Sequence, residues 1–598
     1  MSVDLQAGAG AGGEAVSRRP RGARRALAVA VPLFFYGVLF LWAWLYRYND
    51  PEGGLSGILD DHFFYLVRGW QILYGDLPDR DFVDPGAPLT FVLGAGVQWL
   101  LGRGTWSETV FCVTALSVSS VVTYVIARRA AGSMLIGLAA ALFQVALSPR
   151  LYNYPKVVVY AVAIPALWAF IDAPTRWRRF ALAALTVVAL LLRHDHGVFV
   201  GGATVLAIAL LTQLSWRKRI RHAIVYGLLV LALASPYLVY LQVNGGVVTH
   251  FVTANSWSQR DRARAPLLLP TFSLSPRPDE DPPAADAEWW LRGIFVQPIR
   301  NYEPWLFWLL VALPVMTLAV LPVSADGFRP RWPRARSKIA IVAVLAIVLD
   351  VGFLRGNLTS RVGDVSVTSA VLAAWLLRAG WTFARRGEIA RGARTLRVPM
   401  LVRAPALVVL LATAGVTTLV LIPSVRERLD HAGMTERPLG VFDRFGVVTR
   451  RLQTWPLEFW SSPDAEGSMR LAFYLRDCTA PTDRVFISQY MPQVAALAQR
   501  AFAGGHGDLR PSFFTSPADQ RLTLARLERQ RVPIAIVPAG GEYEGFRKDF
   551  PRIDAYLATR YLSAGDVDLG GRVRVRLLVS RDMVPTGQYR QQGWPCFR

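Results

Sequence analysis

Cysteine and charge are both scarce in this chain. Its 598 residues include only three cysteines, and charged side chains make up 18%. Three cysteines cannot build a disulfide scaffold, and a chain that is 53% hydrophobic is not intrinsically disordered. We find no internal repeat, no glycine-rich loop that would cradle a phosphate and no zinc-finger spacing of cysteines. Repeat proteins, P-loop nucleotide enzymes and zinc fingers are therefore excluded.

Long apolar segments dominate the first 423 residues, and the mean hydropathy is +0.30. A helix needs about 20 apolar residues to cross a bilayer. The segments that meet this pattern, or fall slightly short of it, are 27–46, 109–127, 133–148, 156–172, 180–192, 197–214, 223–243, 305–323, 338–354, 364–378 and 404–423. The sequence therefore predicts an α-helical polytopic membrane protein with about eleven transmembrane helices.

The distribution of arginine predicts the orientation of these helices. If the additional apolar run at 89–101 crossed the membrane, Arg128, Arg129 and every later basic loop would face outward, against the positive-inside rule. We therefore expect 89–101 to be a surface helix. The protein is then a multi-pass protein of the inner (plasma) membrane with a cytoplasmic N-terminus. Its net charge of +23 faces anionic lipid, and no nucleic-acid partner is expected.

Three regions follow from these patterns. Residues 1–26 are predicted to form a disordered cytoplasmic tail, and residues 27–423 a membrane domain whose first outer loop spans 47–108. Residues 424–598 are predicted to form an extracytoplasmic domain. Helical segments alternate there with apolar runs at 484–488, 532–537 and 573–580, which is typical of a small α/β fold. The role of this domain stays open.

The three cysteines have different expected environments. Cys112 lies inside a predicted span, where a thiol usually serves packing. Cys478 and Cys596 both fall in the outer domain, where oxidation is possible, but spacing alone does not place two thiols together.

The first outer loop concentrates acidic side chains in an otherwise basic protein. Its six aspartates are Asp60, Asp61, Asp76, Asp79, Asp81 and Asp84. Helical spacing of Phe63, Leu66, Val67 and Trp70 predicts an amphipathic surface helix with Arg68 on its polar side. An acidic pair just before this helix has two interpretations: a general base that removes a proton from a hydroxyl, or an N-terminal cap of the helix.

A second polar motif, Arg193-His-Asp-His-Gly197, lies between two predicted spans. Arg193 is suited to hold a phosphate, while His194 and His196 could act on the same group or join His62 at a divalent ion. The alternative is a polar loop that satisfies two helix ends. Lys156 and Arg355 fall in other outer loops, where cations either neutralise a phosphate or contact lipid headgroups.

The order of motifs in the first outer loop resembles the GT-C glycosyltransferases, in particular the branch with protein O-mannosyltransferases and lipid A aminoarabinose transferases. The resemblance is carried by the Asp60–Asp61 pair after the first span, by the amphipathic helix, and by the turn Gly75 to Leu89 ahead of a surface helix. It implies that Asp60 is the catalytic base and Asp61 the second acid. It also implies that Asp81 and Asp84 support the pocket.

The resemblance implies a sugar donor linked to polyprenyl phosphate and an acceptor hydroxyl on a glycan, lipid or protein. Lys156, Arg193 and Arg355 are then candidates for the carrier phosphate, and His194 and Asp195 complete the expected substrate-binding set. No cofactor is assigned with certainty from these residues, and a divalent cation is compatible with them, so metal dependence stays open. Two alternatives stay open: a transporter or flippase of lipid-linked sugars, and a non-catalytic protein of envelope assembly.

Overall fold

The structure is a computed structural model. It describes residues 21–50, 61–147, 149–264, 302–324, 334–355, 358–391, 394–435, 437, 439–453, 463–507, 509, 513–570, 573–589 and 592–598. Asp60, proposed as the catalytic base, lies outside these residues, as does the side chain of Arg355.

Helices make up the membrane part. In chain order they are α1 (Arg21–Asn49), α2 (Asp61–Leu73), α3 (Pro88–Leu101), α4 (Thr105–Ala131), α5 (Met134–Ala146), α6 (Tyr154–Asp172), α7 (Arg176–Leu192), α8 (His194–Ala209), α9 (Trp216–Val243), α10 (Val247–Arg264), α11 (Tyr302–Val320), α12 (Ala335–Asp350), α13 (Leu358–Arg386) and α14 (Met400–His431). Each predicted span coincides with one of them. Within the described part of the chain, six helices are long and apolar enough to cross a membrane: Ala30–Asn49, Thr105–Ala131, Leu151–Asp172, Trp216–Val243, Arg361–Arg386 and Arg403–His431.

The first outer loop forms the two short helices that the sequence predicts, α2 and α3. The apolar face of α2 is buried as expected, with Phe63, Leu66, Val67 and Trp70 in the main hydrophobic core. Arg68 differs from the prediction, because it is buried and its guanidinium lies 3.0 Å from the ring centre of Phe64. The reason is that α2 is covered on both sides, by α3 and by the C-terminal domain.

Two boundaries in the membrane part differ from the predicted loops. Residues 244–304 separate the predicted spans 223–243 and 305–323 and were assigned no helix, but Val247–Arg264 form the helix α10. Gly245 and Gly246, both at positive φ, turn the chain from α9 into it. Lys156 was placed in a loop and lies in the first turn of α6, where Pro155 fits because the first helical turn needs no backbone donor.

The C-terminal region contains helices α15 (Gly440–Gln453), α16 (Pro463–Cys478), α17 (Pro492–Ala498), α18 (Pro517–Leu527), α19 (Gly541–Asp549) and α20 (Pro551–Arg560). A small antiparallel hairpin, β1 (Glu388–Arg391) with β2 (Arg394–Arg397), precedes α14. The main sheet consists of β3 (Arg484–Ile487), β4 (Ala501–Phe502), β5 (Ile534–Pro538), β6 (Tyr561–Asp568) and β7 (Arg574–Ser580), in the order β4-β3-β5-β7-β6.

The three strands predicted in this domain are confirmed as β3, β5 and β7. The strand β3 runs parallel to β4 and β5, while β7 is antiparallel to β5 and β6. The strand β6 was not expected, since its Gly565 and two aspartates are poor strand formers. A final hairpin of β8 (Gly587–Tyr589) and β9 (Trp594–Cys596) is tied to the end of α16 by a disulfide between Cys478 and Cys596.

The C-terminal domain docks directly on the first outer loop. Arg484 makes a two-pronged ion pair with Asp76, at 2.6 and 2.8 Å. The backbone N–H of Val83 donates to the carbonyl of Gly505 at 3.0 Å. Gly505 has φ +81, and a Cβ there would lie 2.7 Å from the carbonyl oxygen of Asp81, so this close approach requires glycine. The division at residue 423 stays a prediction.

Candidate functional site

Asp61, the first residue of α2, has an exposed carboxylate held by two tyrosines from distant parts of the chain. The Tyr152 hydroxyl donates to Oδ2 at 3.2 Å, and the Tyr490 hydroxyl donates to Oδ1 at 2.5 Å. Tyr152 stands just before α6, whereas Tyr490 belongs to the C-terminal domain. Arg150 in turn donates to the Tyr152 hydroxyl at 3.3 Å. The carboxylate is therefore oriented where the loop, the helical bundle and the C-terminal domain meet.

The motif around Arg193 lies next to this carboxylate. Tyr65 stacks on Tyr152, with ring centres 5.7 Å apart and planes at 18°. Burial raises the pKa of Tyr65, and the positive charge of Arg193 opposes that rise while Asp61 adds to it. Both charges therefore act on one phenol. Arg193 also pairs with Asp195, with Nε to Oδ1 at 2.9 Å.

A group of cations extends from Arg193 into the bundle. Lys156 on α6 is buried and pairs with Asp364 on α13, with Nζ to Oδ1 at 2.7 Å. The charges of Arg193 and Arg361 both act on Lys156. Within the part of the chain that the structure describes, the buried Nε of Arg361 has no hydrogen-bond partner. Counting Asp195 and Asp364, the three cations face two carboxylates, so the group carries an excess positive charge.

A second polar cluster lies where the first outer loop meets α8 and α10. His250 on α10 pairs with Asp79, with Nδ1 to Oδ1 at 2.8 Å, and its ring centre lies 5.0 Å from that of His194. The buried Asp84 accepts two backbone hydrogen bonds at Oδ1, from Gly86 and Ala87. Four buried atoms of this cluster have no hydrogen-bond partner among the described residues: Asp79 Oδ2, Asp84 Oδ2, His194 Nδ1 and His250 Nε2.

Two side chains of this cluster, Asp84 and His250, have shifted pKa values. Burial, together with the charge of Asp79, raises the pKa of Asp84 to about 6. Burial lowers the pKa of His250, but its hydrogen bond to Asp79 and the charge of that carboxylate outweigh burial, and the pKa stands above its ordinary value. Protonation of His250 places a positive charge beside Asp79 and Asp84, and so reduces the unpaired negative charge of the cluster.

The structure brings the two sequence motifs together at one glycine. The backbone N–H of His194 donates to the carbonyl of Gly86 at 3.0 Å. Gly86 has φ +102, and a Cβ there would lie 2.6 Å from His194 Nδ1. The Pro- and Gly-containing turn of the first outer loop is therefore shaped to receive the α7–α8 junction.

Other predicted site residues lie apart. Asp81 is partly exposed and pairs with its neighbour Arg80 at 2.6 Å, and its role in the pocket stays a prediction. The three histidines proposed to share an ion occupy three separate places: His62 contacts Glu108, His194 contacts Tyr237, and His196 contacts Tyr160 inside the bundle. Among the described residues these three histidines do not form one group of possible ligands, since each ring contacts a different partner.

Sequence reasoning missed the residues that complete the site. Tyr152, Tyr490 and Asp364 carry no motif, and each reaches its partner across a long stretch of chain. Tyr152 had one usable signal, its position beside Arg150 in a predicted outer loop. Tyr490 had no such signal, because no local sequence pattern indicates that the C-terminal domain covers the first outer loop.

One group of side chains has the spacing of a metal site. The ligand atoms of His62, Glu108 and Cys112 all lie within 4.8 Å of one another, and all three residues are buried. Among the residues that the structure describes, no other group of three or more His, Cys, Asp and Glu ligands stands out in this way.

Of the three comparisons with known proteins, the one with solved structures finds matches. No family model matches the chain, and no curated protein matches it. Among solved structures it is similar to the crystal structure of ArnT from Cupriavidus metallidurans in the apo state, with 13% sequence identity and a TM-score of 0.43. The match covers 92% of this chain and 98% of that chain. A likeness at this level assigns no activity, substrate or residue role.

Proposed function

We propose that the protein is a GT-C-type membrane glycosyltransferase that moves a sugar from a polyprenyl-phosphate carrier to an acceptor hydroxyl at the outer face. The observation that carries the proposal is the placement of Asp61. Its carboxylate is exposed, oriented by the hydroxyls of Tyr152 and Tyr490, and adjacent through Tyr65 to Arg193 and the buried cations. This transfer requires a carboxylate that acts on the acceptor hydroxyl and positive charges that stabilise the leaving phosphate. An acid beside a cationic pocket at a membrane surface provides both.

The proposed chemistry is a displacement at the anomeric carbon. The acceptor oxygen forms a bond to that carbon, the bond from the carbon to the phosphate oxygen breaks, and the acceptor proton moves to a carboxylate. We assign the proton to Asp60, the base implied by the sequence resemblance. Asp61 already holds one hydroxyl donor on each oxygen, so it is suited to orient the acceptor.

The negative charge of the leaving phosphate accounts for the buried cations in this proposal. A polyprenyl phosphate departs with a second negative charge, which fixed positive groups stabilise without reorganising. Arg193, Arg361 and Lys156 are arranged in this way, with Asp195 and Asp364 holding two of them in position. Arg355 is kept as a candidate from the sequence alone.

Asp84 and His194 serve the same site indirectly in this proposal. Through Gly86 and Ala87, Asp84 fixes the turn that precedes α3, and His194 packs against Gly86 of the same turn. The polar cluster of His250 and Asp79 contacts His194 and so supports the same turn, at the expected height of the lipid headgroups.

The test is transfer activity and glycan content with single acid variants. Asp60→Asn should abolish transfer from a polyprenyl-phosphate sugar in membrane vesicles, and Asp61→Asn should reduce it by about 100-fold or more. The matched control is Asp582→Asn, an acid in an exposed surface pair of the outer domain that should keep full activity. Full activity in Asp60→Asn with normal expression would remove the base assignment.

Mass spectrometry of glycolipids and envelope glycans separates transfer from transport. Loss of transfer leaves the acceptor without its sugar and the donor available at the outer face. Loss of a flippase would retain the donor on the cytoplasmic side, and neither acid would then affect transfer from donor supplied outside. That second result would overturn the proposal.

A further inference from the structure

The cluster of His62, Glu108 and Cys112 is not used by the proposed transfer. His62 Nε2 lies 3.3 Å from Glu108 Oε1, and Cys112 Sγ lies 3.7 Å from the same oxygen. A tetrahedral zinc ion, with bonds of about 2.0 to 2.3 Å, separates its ligand atoms by about 3.3 to 3.7 Å. Two of the three separations therefore match the edges of a tetrahedral zinc site, and the third, between His62 and Cys112, is within 4.8 Å.

The ligand types also fit zinc. Histidine nitrogen, cysteine sulfur and carboxylate oxygen are its ordinary protein ligands, whereas calcium and magnesium take oxygen. The cluster is buried, with His62 and Cys112 fully covered. A thiolate, a carboxylate and a neutral imidazole cancel the double charge of the ion, which is the condition for placing charges in a low-dielectric interior.

The backbone holds these ligands rigidly. Glu108 and Cys112 are four residues apart on α4 and so share one face of that helix. His62 comes from the first turn of α2 and directly follows Asp61. An ion bound here would connect the surface helix to a membrane helix and fix the start of α2, where the Asp61 carboxylate is presented.

The same distances allow a purely hydrogen-bonded cluster, in which Cys112 and His62 donate to Glu108 and Gln98 donates to its other oxygen at 3.5 Å. The two arrangements differ in composition, since only one contains a thiolate and a metal. We propose that His62, Glu108 and Cys112 bind a Zn²⁺ ion that ties α2 to α4 beneath Asp61. This proposal stands apart from the proposed transfer and does not depend on it.

The experiment is metal analysis of the full chain, purified in detergent without chelators and dialysed against metal-free buffer. We expect about one zinc per chain in the wild type and loss of most of it in Cys112→Ser and Glu108→Gln. The matched control is Thr109→Val. Thr109 is the neighbour of Glu108 on α4 and is fully buried, and its hydroxyl has no hydrogen-bond partner in the described ranges of the chain. This variant should keep its zinc.

Cobalt provides a second readout that needs no variant to fold. Cys112 is the one thiol left free among the three cysteines, because Cys478 and Cys596 are bonded to each other. Replacement of zinc by Co²⁺ should produce a near-ultraviolet thiolate-to-cobalt band and visible bands of a tetrahedral ion. A wild type without bound zinc and without a thiolate-to-cobalt band would overturn the proposal in favour of the hydrogen-bonded cluster. Zinc retained in full by Cys112→Ser would do the same.

Discussion

The hydroxyl of Tyr490 donates a hydrogen bond to the Asp61 carboxylate at 2.5 Å, although the two residues are 429 positions apart. This contact joins the C-terminal domain to the start of α2. It makes the outer domain part of the candidate site, whereas the sequence left the role of that domain open.

Tyr490→Phe tests this contact. Removing one hydroxyl that donates to a carboxylate costs about 1.5 to 3 kcal/mol, so the transfer rate should fall by roughly 10- to 100-fold. Tyr152→Phe, which removes the donor to the other oxygen, should have a similar effect. The measurement is kcat and KM with a polyprenyl-phosphate sugar in vesicles. Unchanged kinetics in both variants would show that Asp61 needs no orientation.

The cation group predicts a defect in donor binding. Arg361→Gln should raise the KM for the donor by about tenfold, because one charged contact to phosphate contributes about 1.5 kcal/mol or more. The control is Arg217→Gln, an exposed arginine at the start of α9 on the predicted cytoplasmic side. A defect of equal size in the control would indicate a general charge effect on the membrane rather than a phosphate site.

The ion pair between Asp76 and Arg484 should be essential for docking of the outer domain. Both side chains are largely buried, at 11% and 16% exposure. Asp76→Asn leaves a guanidinium without its counter-charge, and we expect a loss of about 3 kcal/mol, seen as a lower midpoint of thermal unfolding in detergent.

The control for this pair is Glu544→Gln, which breaks an exposed pair with Arg547 and should cost less than about 1 kcal/mol. Limited proteolysis should then cut the region after α14 faster in Asp76→Asn than in the control. Equal stability of the two variants would contradict a docking role.

The disulfide should stabilise the outer domain substantially. Cys478 and Cys596 are 118 positions apart, and closing a loop of that size is worth about 4 to 5 kcal/mol in the chain-entropy model. Reduction with a thiol reagent, or the double change Cys478→Ser and Cys596→Ser, should expose the end of the chain to proteolysis. Equal protease resistance before and after reduction would show that β8 and β9 are held by packing alone.

Asp84 predicts a dependence of stability on pH. Because its pKa in the folded protein is about 6, against an ordinary value of 3.8, the folded state binds more protons than the unfolded state between about pH 4 and pH 6. The extra proton binding therefore stabilises the folded state below about pH 4, and this stabilisation, about 3 kcal/mol at most, is lost as the pH rises from 4 to 6.

The measurement is thermal unfolding of the wild type and Asp84→Asn at pH 4, 5, 6 and 7. Asparagine keeps an oxygen for the N–H groups of Gly86 and Ala87 but does not titrate. The advantage of the wild type over the variant should therefore shrink between pH 4 and pH 6 and level off toward pH 7. Parallel profiles would show that Asp84 titrates normally.

Several features followed from local pattern. The apolar runs predicted the membrane helices because burying about 20 apolar residues in lipid requires a helix, and the spacing of Phe63, Leu66 and Trp70 predicted the buried face of α2. The strands β3, β5 and β7 followed from short apolar runs between helical segments. Membrane orientation stays a prediction from the arginine distribution.

The contacts of the candidate site did not follow from local pattern. Lys156 was expected in a loop and is paired with Asp364, 208 positions further along the chain. A shared ion for His62, His194 and His196 was one alternative from the sequence, and the three rings contact three different partners. Hydropathy and periodicity describe neighbours along one helix, whereas these pairings depend on which helices pack together.

The amino-acid sequence therefore determined the membrane class, the helices and the acidic loop, because burial in lipid and helical periodicity act on neighbouring residues. The tertiary structure alone decided that Tyr152 and Tyr490 meet at Asp61, and that Arg193, Arg361 and Lys156 form one group. Such contacts arise from the packing of elements far apart in the chain, and a single hydroxyl or guanidinium leaves no periodic signal of the partner that it will reach.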